Sequence, residues 1–201
     1  MQSVTDASPP ASQPEGLRDR KRRETAQRIT DAALSLFLDR GIEATTLDDI
    51  AARADISRRT FFSYFRSKDD ILLSMQSGMG QTLATALQAE PQDKRPLHAL
   101  RDATIRSAAP YPAAEMLAID RLMRSSPAVM ARKQASYIAH EEVLFAALCE
   151  KWPDRDRLSL RLLALLAIGA IRLSLEAFNR AEGRQPLPDL LAETFAALDP
   201  G

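Results

Sequence analysis

A helical period runs almost unbroken from Arg18 to Leu198, and it limits the fold more than any other feature of this sequence. Ala26, Ile29, Ala33, Leu36 and Phe37 recur at i, i+3 and i+4, one face of a helix, and Gly41 supplies a stop. Nowhere do four or more residues alternate convincingly between apolar and polar, as a half-buried strand requires. The expected fold class is therefore all-α. Proline cuts the remainder into segments, at Pro91, Pro96, Pro110, Pro112, Pro127, Pro153, Pro186 and Pro188. About nine helices follow: 18–40, 47–54, 57–65, 67–89, 96–108, 113–124, 127–152, 154–181 and 189–198.

The chain has 201 residues, 45% of them apolar, enough for one large or two small domains. Lys and Arg number 27 and so do Asp and Glu, so any basic surface must be local. Cys149 is the single cysteine, which excludes an internal disulfide and a Cys-rich metal site. No metal or cofactor is expected. Residues 1–17 read as a disordered leader, and no stretch resembles a signal peptide. The longest apolar run, Leu162 to Ile171, is far short of the roughly 20 residues of a membrane span. These features imply a cytoplasmic protein with no membrane partner.

The most informative stretch is ISRRTFFSYFRSKDDIL, residues 56–72. Phe61, Phe62, Tyr64 and Phe65 fall within five positions, among Arg58, Arg59, Arg66 and Lys68. On a helical wheel Phe61 and Phe65 share the side that can pack on Ile50 and Leu47. Arg59, Thr60, Ser63 and Tyr64 fall opposite. Thr46 with Asp49 forms a capping-box pattern before a short helix, Ala54-Asp55-Ile56 is left as a turn, and Ser57 can cap the next helix. Two short helices on a three-residue turn, the second with a basic, hydroxyl-rich face, fit a helix-turn-helix. Such a helix enters the major groove, where Arg meets guanine and Thr meets a thymine methyl. Thr45, Thr46, Ser57, Tyr64 and Lys68 lie where phosphates would be held. The block from Arg18 to Arg23, with Arg22, could track the backbone or enter the minor groove. The competing reading is a helical hairpin with an aromatic core and a solvated charged face.

The series RITDAALSLFLDRGIEATTLDDIAARADISRRTFFSYFRSKDDIL resembles the N-terminal domain of the TetR family of transcriptional regulators, over roughly residues 20–75. The resemblance implies a helix-turn-helix DNA-binding domain at 18–66, followed by a helical effector-binding and dimerisation domain at 67–201. Carried over by position, it puts Thr45, Thr46, Ser57, Arg58, Arg59, Thr60, Tyr64 and Lys68 at or near DNA. Phe62 stands where the family usually has a tyrosine, and Tyr64 is expected to take that role. It also implies a repressor released by a small-molecule effector. The partners are then a near-palindromic double-stranded operator and a second copy of the chain.

Beyond residue 75, the run LMRSSPAVMARKQASYIAHEEVLFAALCEKW followed by LRLLALLAIGAIRLSLEAF is similar to regulators of mycofactocin systems, which hints at an acyl-thioester or redox-related effector. By position, Met116, Ile119, Met123, Tyr137, His140, Glu141, Phe145 and Arg172 are candidates to meet it. The eighth helix is apolar on nearly all sides and must be covered on more than one face. Leu158, Leu165, Arg172 and Phe178, with Leu191 and Phe195 of the last helix, are the expected dimer interface. An enzyme is disfavoured: the sequence has only His98 and His140, no HExxH, no GxSxG and no Gly-rich phosphate loop. A ligand- or partner-binding helical protein whose DNA reading has lapsed is the alternative.

Overall fold

The computed structural model describes residues 16–198, so the expected leader lies almost wholly outside the described residues. The described chain is all helical: α1 (Leu17–Arg40), α2 (Leu47–Arg53), α3 (Arg58–Phe62), α4 (Lys68–Ser77), α5 (Met79–Gln88), α6 (Pro96–Ala108), α7 (Ala113–Arg124), α8 (Pro127–Lys151), α9 (Arg157–Arg180) and α10 (Leu187–Ala196). The helix expected over 67–89 is broken at Gly78 into α4 and α5; the other eight stand close to their expected limits. Local chemistry sets those limits. Side-chain oxygens of Thr46, Ser57, Ser67, Ser126 and Asp156 accept the third backbone N–H of α2, α3, α4, α8 and α9. Pro96 and Pro127 occupy first-turn positions where no N–H is needed.

Two apolar cores result. The first holds Ile29, Ala33 and Phe37 of α1, Ile50 of α2, Phe61 and Phe65 around α3, and Ile71 and Leu72 of α4. It also receives Met123 from α7 and Val129 from α8, both fully buried. The second core is built by α5, α6, α8, α9 and α10, around Leu87, Leu100, Leu144, Ile168, Phe178 and Phe195. Beside it Glu90 is buried at the end of α5 and pairs with Lys94 and Arg106. Its carbonyl accepts from the buried Lys151 Nζ at 2.7 Å.

Among the described residues α9 alone is long and apolar enough to cross a membrane, with a mean hydropathy of 1.9. Counting an uninterrupted run missed this, because Arg161 and Arg172 flank the run inside one helix. One side of α9 is core of this chain: Leu160, Ala164, Ile168 and Ile171.

The turn from α9 to α10 leaves no room for a side chain at one point. Gly183 has φ +70°, and a Cβ there would lie 2.9 Å from Leu117 Cδ1 of α7. Gly183→Ala therefore combines a left-handed backbone with overpacking. We expect it to lower unfolding stability by about 1–3 kcal/mol, read as a shifted urea midpoint at unchanged m-value.

Candidate functional site

Four residues, Ala54 to Ser57, join α2 to α3. Asp55 sits at φ 53°, a left-handed position that Asp tolerates, and Ile56 N–H donates to the Ala51 carbonyl at 3.0 Å. The turn sends α3 across the end of α2 and buries Phe61 and Phe65, whose rings lie 6.3 Å apart. The opposite face is open. Arg58, Arg59, Phe62 and Ser63 are exposed and Thr60 is half-buried. Ser57 Oγ accepts from Thr60 N–H at 3.0 Å, and the two hydroxyls lie 2.8 Å apart.

The basic side chains of this face are not equivalent. Arg58 donates to Asp48 at 3.0 Å and lies over the Phe62 ring, so its charge is already offset by α2. The Arg59 side chain has neither an ion pair nor a hydrogen bond among the described residues. Arg22 stands 5.2 Å over the Tyr64 ring, which brings the block at the start of α1 beside the end of α3.

Three expected contacts are turned inward or occupied. Thr45 is 1% exposed and its hydroxyl donates to the Gly41 carbonyl at 2.8 Å. Lys68 Nζ donates to the Ile42 and Thr45 carbonyls at 2.6 and 3.2 Å. Both hold the α1–α2 loop in place beneath the surface. Thr46 donates from its hydroxyl to Asp49 at 2.6 Å in the capping box. These Thr46 bonds, with the Arg40 guanidinium, hold the Asp49 carboxyl below the usual range.

Further along, the helices enclose a largely apolar cavity of about 290 Å³. Its walls come from the α4–α5 break (Met75, Gln76, Met79), α6 (Thr104), α7 (Met116, Ile119, Asp120), α8 (Lys133, Tyr137) and α9 (Ile171, Leu175). That size lies at the low end of small-molecule pockets, roughly 300–1,000 Å³. Of the eight sequence candidates, Met116, Ile119 and Tyr137 line it. The others do not, for separate reasons. Met123 is in the first core. His140 is buried against Gly80, and burial lowers its pKa. Glu141 is half-buried on α8 and is not part of the cavity wall. Phe145 lies under the guanidinium groups of Arg157 and Arg161. Arg172 is exposed and lies over the Tyr137 ring at 5.3 Å.

The two halves of this arrangement have counterparts among known proteins. Residues 29–75 match "Bacterial regulatory proteins, tetR family", and residues 94–201, more than half the chain, match "MftR C-terminal domain". The chain belongs to the TetR family. It is 39% identical over 88 residues to the HTH-type transcriptional regulator TcmR of Streptomyces glaucescens, covering 44% of this chain and 39% of that protein. Against the HTH-type transcriptional repressor Rv3405c of Mycobacterium tuberculosis it is 36% identical over 69 residues, 34% of this chain and 37% of the other. The chain thus spans less than half the length of these relatives. A structure of Thermus thermophilus FadR, a TetR-family repressor in complex with lauroyl-CoA, matches with 27% identity and a TM-score of 0.55. That match covers 86% of this chain and 92% of that one. FadR of Bacillus subtilis in complex with stearoyl-CoA shares the fold at 18% identity and a TM-score of 0.58, covering 86% and 96%.

For a TetR-family chain the surface of α9 is the remaining feature. Leu158, Leu162, Leu165, Leu166 and Leu173 are exposed along one side, with Ile138 and Val143 of α8 also exposed. Of the six residues expected at a dimer interface, Leu158, Leu165 and Arg172 are exposed. Phe178, Leu191 and Phe195 are not available: each is 1–2% exposed in the second core of its own chain. A helix that is apolar all round does not reveal which side its neighbours take.

Lys133 and Asp120, both lining the cavity, were missed, although a signal existed. Val129, Lys133, Tyr137, His140 and Leu144 form a single buried stripe of α8, and a lysine on such a stripe needs a buried partner.

The different settings of Arg58 and Arg59 give a test. Arg59→Ala should cost about 1–3 kcal/mol on the preferred DNA site and relax preference at one base position. Arg58→Ala should cost less, because Asp48 already offsets its charge. Binding measured on a panel of single-base variants checks both.

Proposed function

We propose that this protein is a homodimeric repressor that reads a near-palindromic double-stranded operator through α3 and releases it when a small molecule fills the cavity. One observation carries the reading: Arg59, exposed and without a side-chain partner among the described residues, stands beside Thr60 and Ser63 on a helix whose other side is locked into a core by Phe61 and Phe65. A side chain left unpaired on a rigid element suits base contact in the major groove. Residues 18–66 carry the DNA contacts in this reading, with Ser57, Arg58 and Arg22 toward phosphates, and Thr45 and Lys68 as supports. Residues 67–201 hold the effector and the second copy. No catalytic role, metal or cofactor is assigned, and the site of action is the cytoplasm, where the DNA is.

The apolar stripe of α9 supports the dimer: five exposed leucines on one face form a surface that a monomer seldom leaves in water. A second copy covers it here, not lipid, because α9 is already anchored along its other side. Two recognition helices then stand about one DNA turn apart, roughly 34 Å.

Effector control requires the ligand to favour one placement of α3. α4 supports such a link because it belongs to both sites. Its first turn follows α3, and its last turn lines the cavity with Met75 and Gln76. The first turn is also tied to α8, by Arg132 to Asp70 at 3.0 Å and by Ser126 to Asp69 at 3.4 Å. An acyl thioester fits the apolar cavity as effector class, and the Thermus repressor with lauroyl-CoA supports the same class.

Sequencing of genomic DNA retained by the purified protein at physiological salt tests the reading; enrichment of one near-palindrome is expected, and retention without sequence preference would refute it. Leu165→Arg should give a monomer by light scattering and weaken operator binding; an intact dimer would place the interface elsewhere. Arg132→Ala should leave operator affinity near wild type while shrinking effector-driven release, which for such systems is about 5- to 150-fold. Paired titrations with and without effector measure it.

A further inference from the structure

The polar wall of the cavity is a built feature, and nothing in the fold requires it. Asp120 of α7 and Lys133 of α8 are 8% and 7% exposed, and Lys133 Nζ lies 3.2 Å from Asp120 Oδ1. The other carboxylate oxygen accepts from Arg124 Nε at 2.5 Å. A buried ion pair is a weak stabiliser, since apolar residues of similar volume would hold α7 to α8 about as well. The donor count is more telling. An ammonium has three N–H groups, and among the described residues one acceptor, Asp120, reaches that of Lys133. Two donors therefore remain in a buried position on the wall of an apolar cavity.

Charge points the same way. Asp120 faces two cations, Lys133 and Arg124, so the cluster carries one net positive charge. Arg172 and Glu176 of α9 also act on Tyr137 and offset each other. Tyr137, one turn along α8 from Lys133, brings its buried ring to the same wall, with its phenol pushed above the ordinary range by burial. Beyond Asp120 and Asn179 lies a polar recess of about 500 Å³, lined by Arg121, Arg124 and Arg180 and by Glu176 and Glu182. Asp120 and Asn179 belong to both spaces.

We propose that the cavity selects an apolar molecule with an oxygen-acceptor head, against one with a cationic head, and that Lys133 is the residue that reads that head. The inference rests on the cavity being the effector site. An alkyl body lies among Met75, Met79, Ile171 and Leu175, and its head takes the two free donors of Lys133. A carboxylate ends there; a thioester carbonyl makes the same contact and continues past Asp120 into the recess. An alkylammonium of equal length meets an uncompensated cation.

Calorimetric titration of the full-length protein with decanoate, decanoyl-coenzyme A and decylammonium tests this. Decanoate or the thioester should bind at least about 10-fold more tightly than decylammonium, the size of one charge-assisted hydrogen bond. Whichever acyl compound is tighter identifies the source of the acceptor. Lys133→Met should abolish the preference, and Lys133→Arg, which keeps the charge, should restore most of it. Lys133→Met leaves no unpaired buried charge, because Asp120 retains Arg124. Equal affinities for decanoate and decylammonium, unchanged in Lys133→Met, would overturn the assignment of Lys133 and leave the cavity as the effector site. No binding by any of the three, with operator binding intact, would overturn both.

Discussion

Met123 and Val129 enter the core beneath α1–α4 from the corner between α7 and α8, and the arrangement of both sites depends on that insertion. Both side chains are fully buried. By removing two large apolar groups from water, the corner gains roughly 3–6 kcal/mol of burial. The polar ties from α8 to the first turn of α4 then fix its direction at little further gain, since their side chains remain partly in water. Burial thus holds the two bodies together, and the ion pair with Asp70 sets how they are turned.

The cavity and the open face of α3 share structure for this reason. Asp120 lies one turn before Met123 on α7, and Lys133 one turn after Val129 on α8. A change at the cavity wall is therefore made on the same two helices that plug the first core. Close-packed interiors shift between discrete arrangements and resist gradual deformation. In the proposed function, a modest ligand acting there would have leverage on α4, whose first turn follows α3.

Much of this was legible in the sequence because it rests on local rules. The caps at Thr46, Ser57 and Ser67, the proline starts of α6 and α8, and the stop at Gly41 each depend on residues within one turn. The division of α3 into a Phe61–Phe65 face and an Arg59–Thr60–Ser63 face follows from its period. The break at Gly78 did not show, because one glycine in a helical pattern is tolerated as often as it interrupts. The sequence alone puts Thr45 and Lys68 at the surface, since nothing local says that a lysine will reach carbonyls 23 and 26 residues away.

The sequence by itself determined that the described chain is helical, where its helices start and stop apart from the break at Gly78, and which face of α3 is left open. Tertiary structure alone decided which side of α9 is core and which is stripe, so Phe178 is interior while Leu165 is exposed. It also decided that Lys133 meets Asp120, and that of eight candidate cavity residues Met116, Ile119 and Tyr137 arrive together. Periodicity records that a face must be buried and carries no record of what covers it. That choice is made by volume, charge and chain direction among helices distant in sequence.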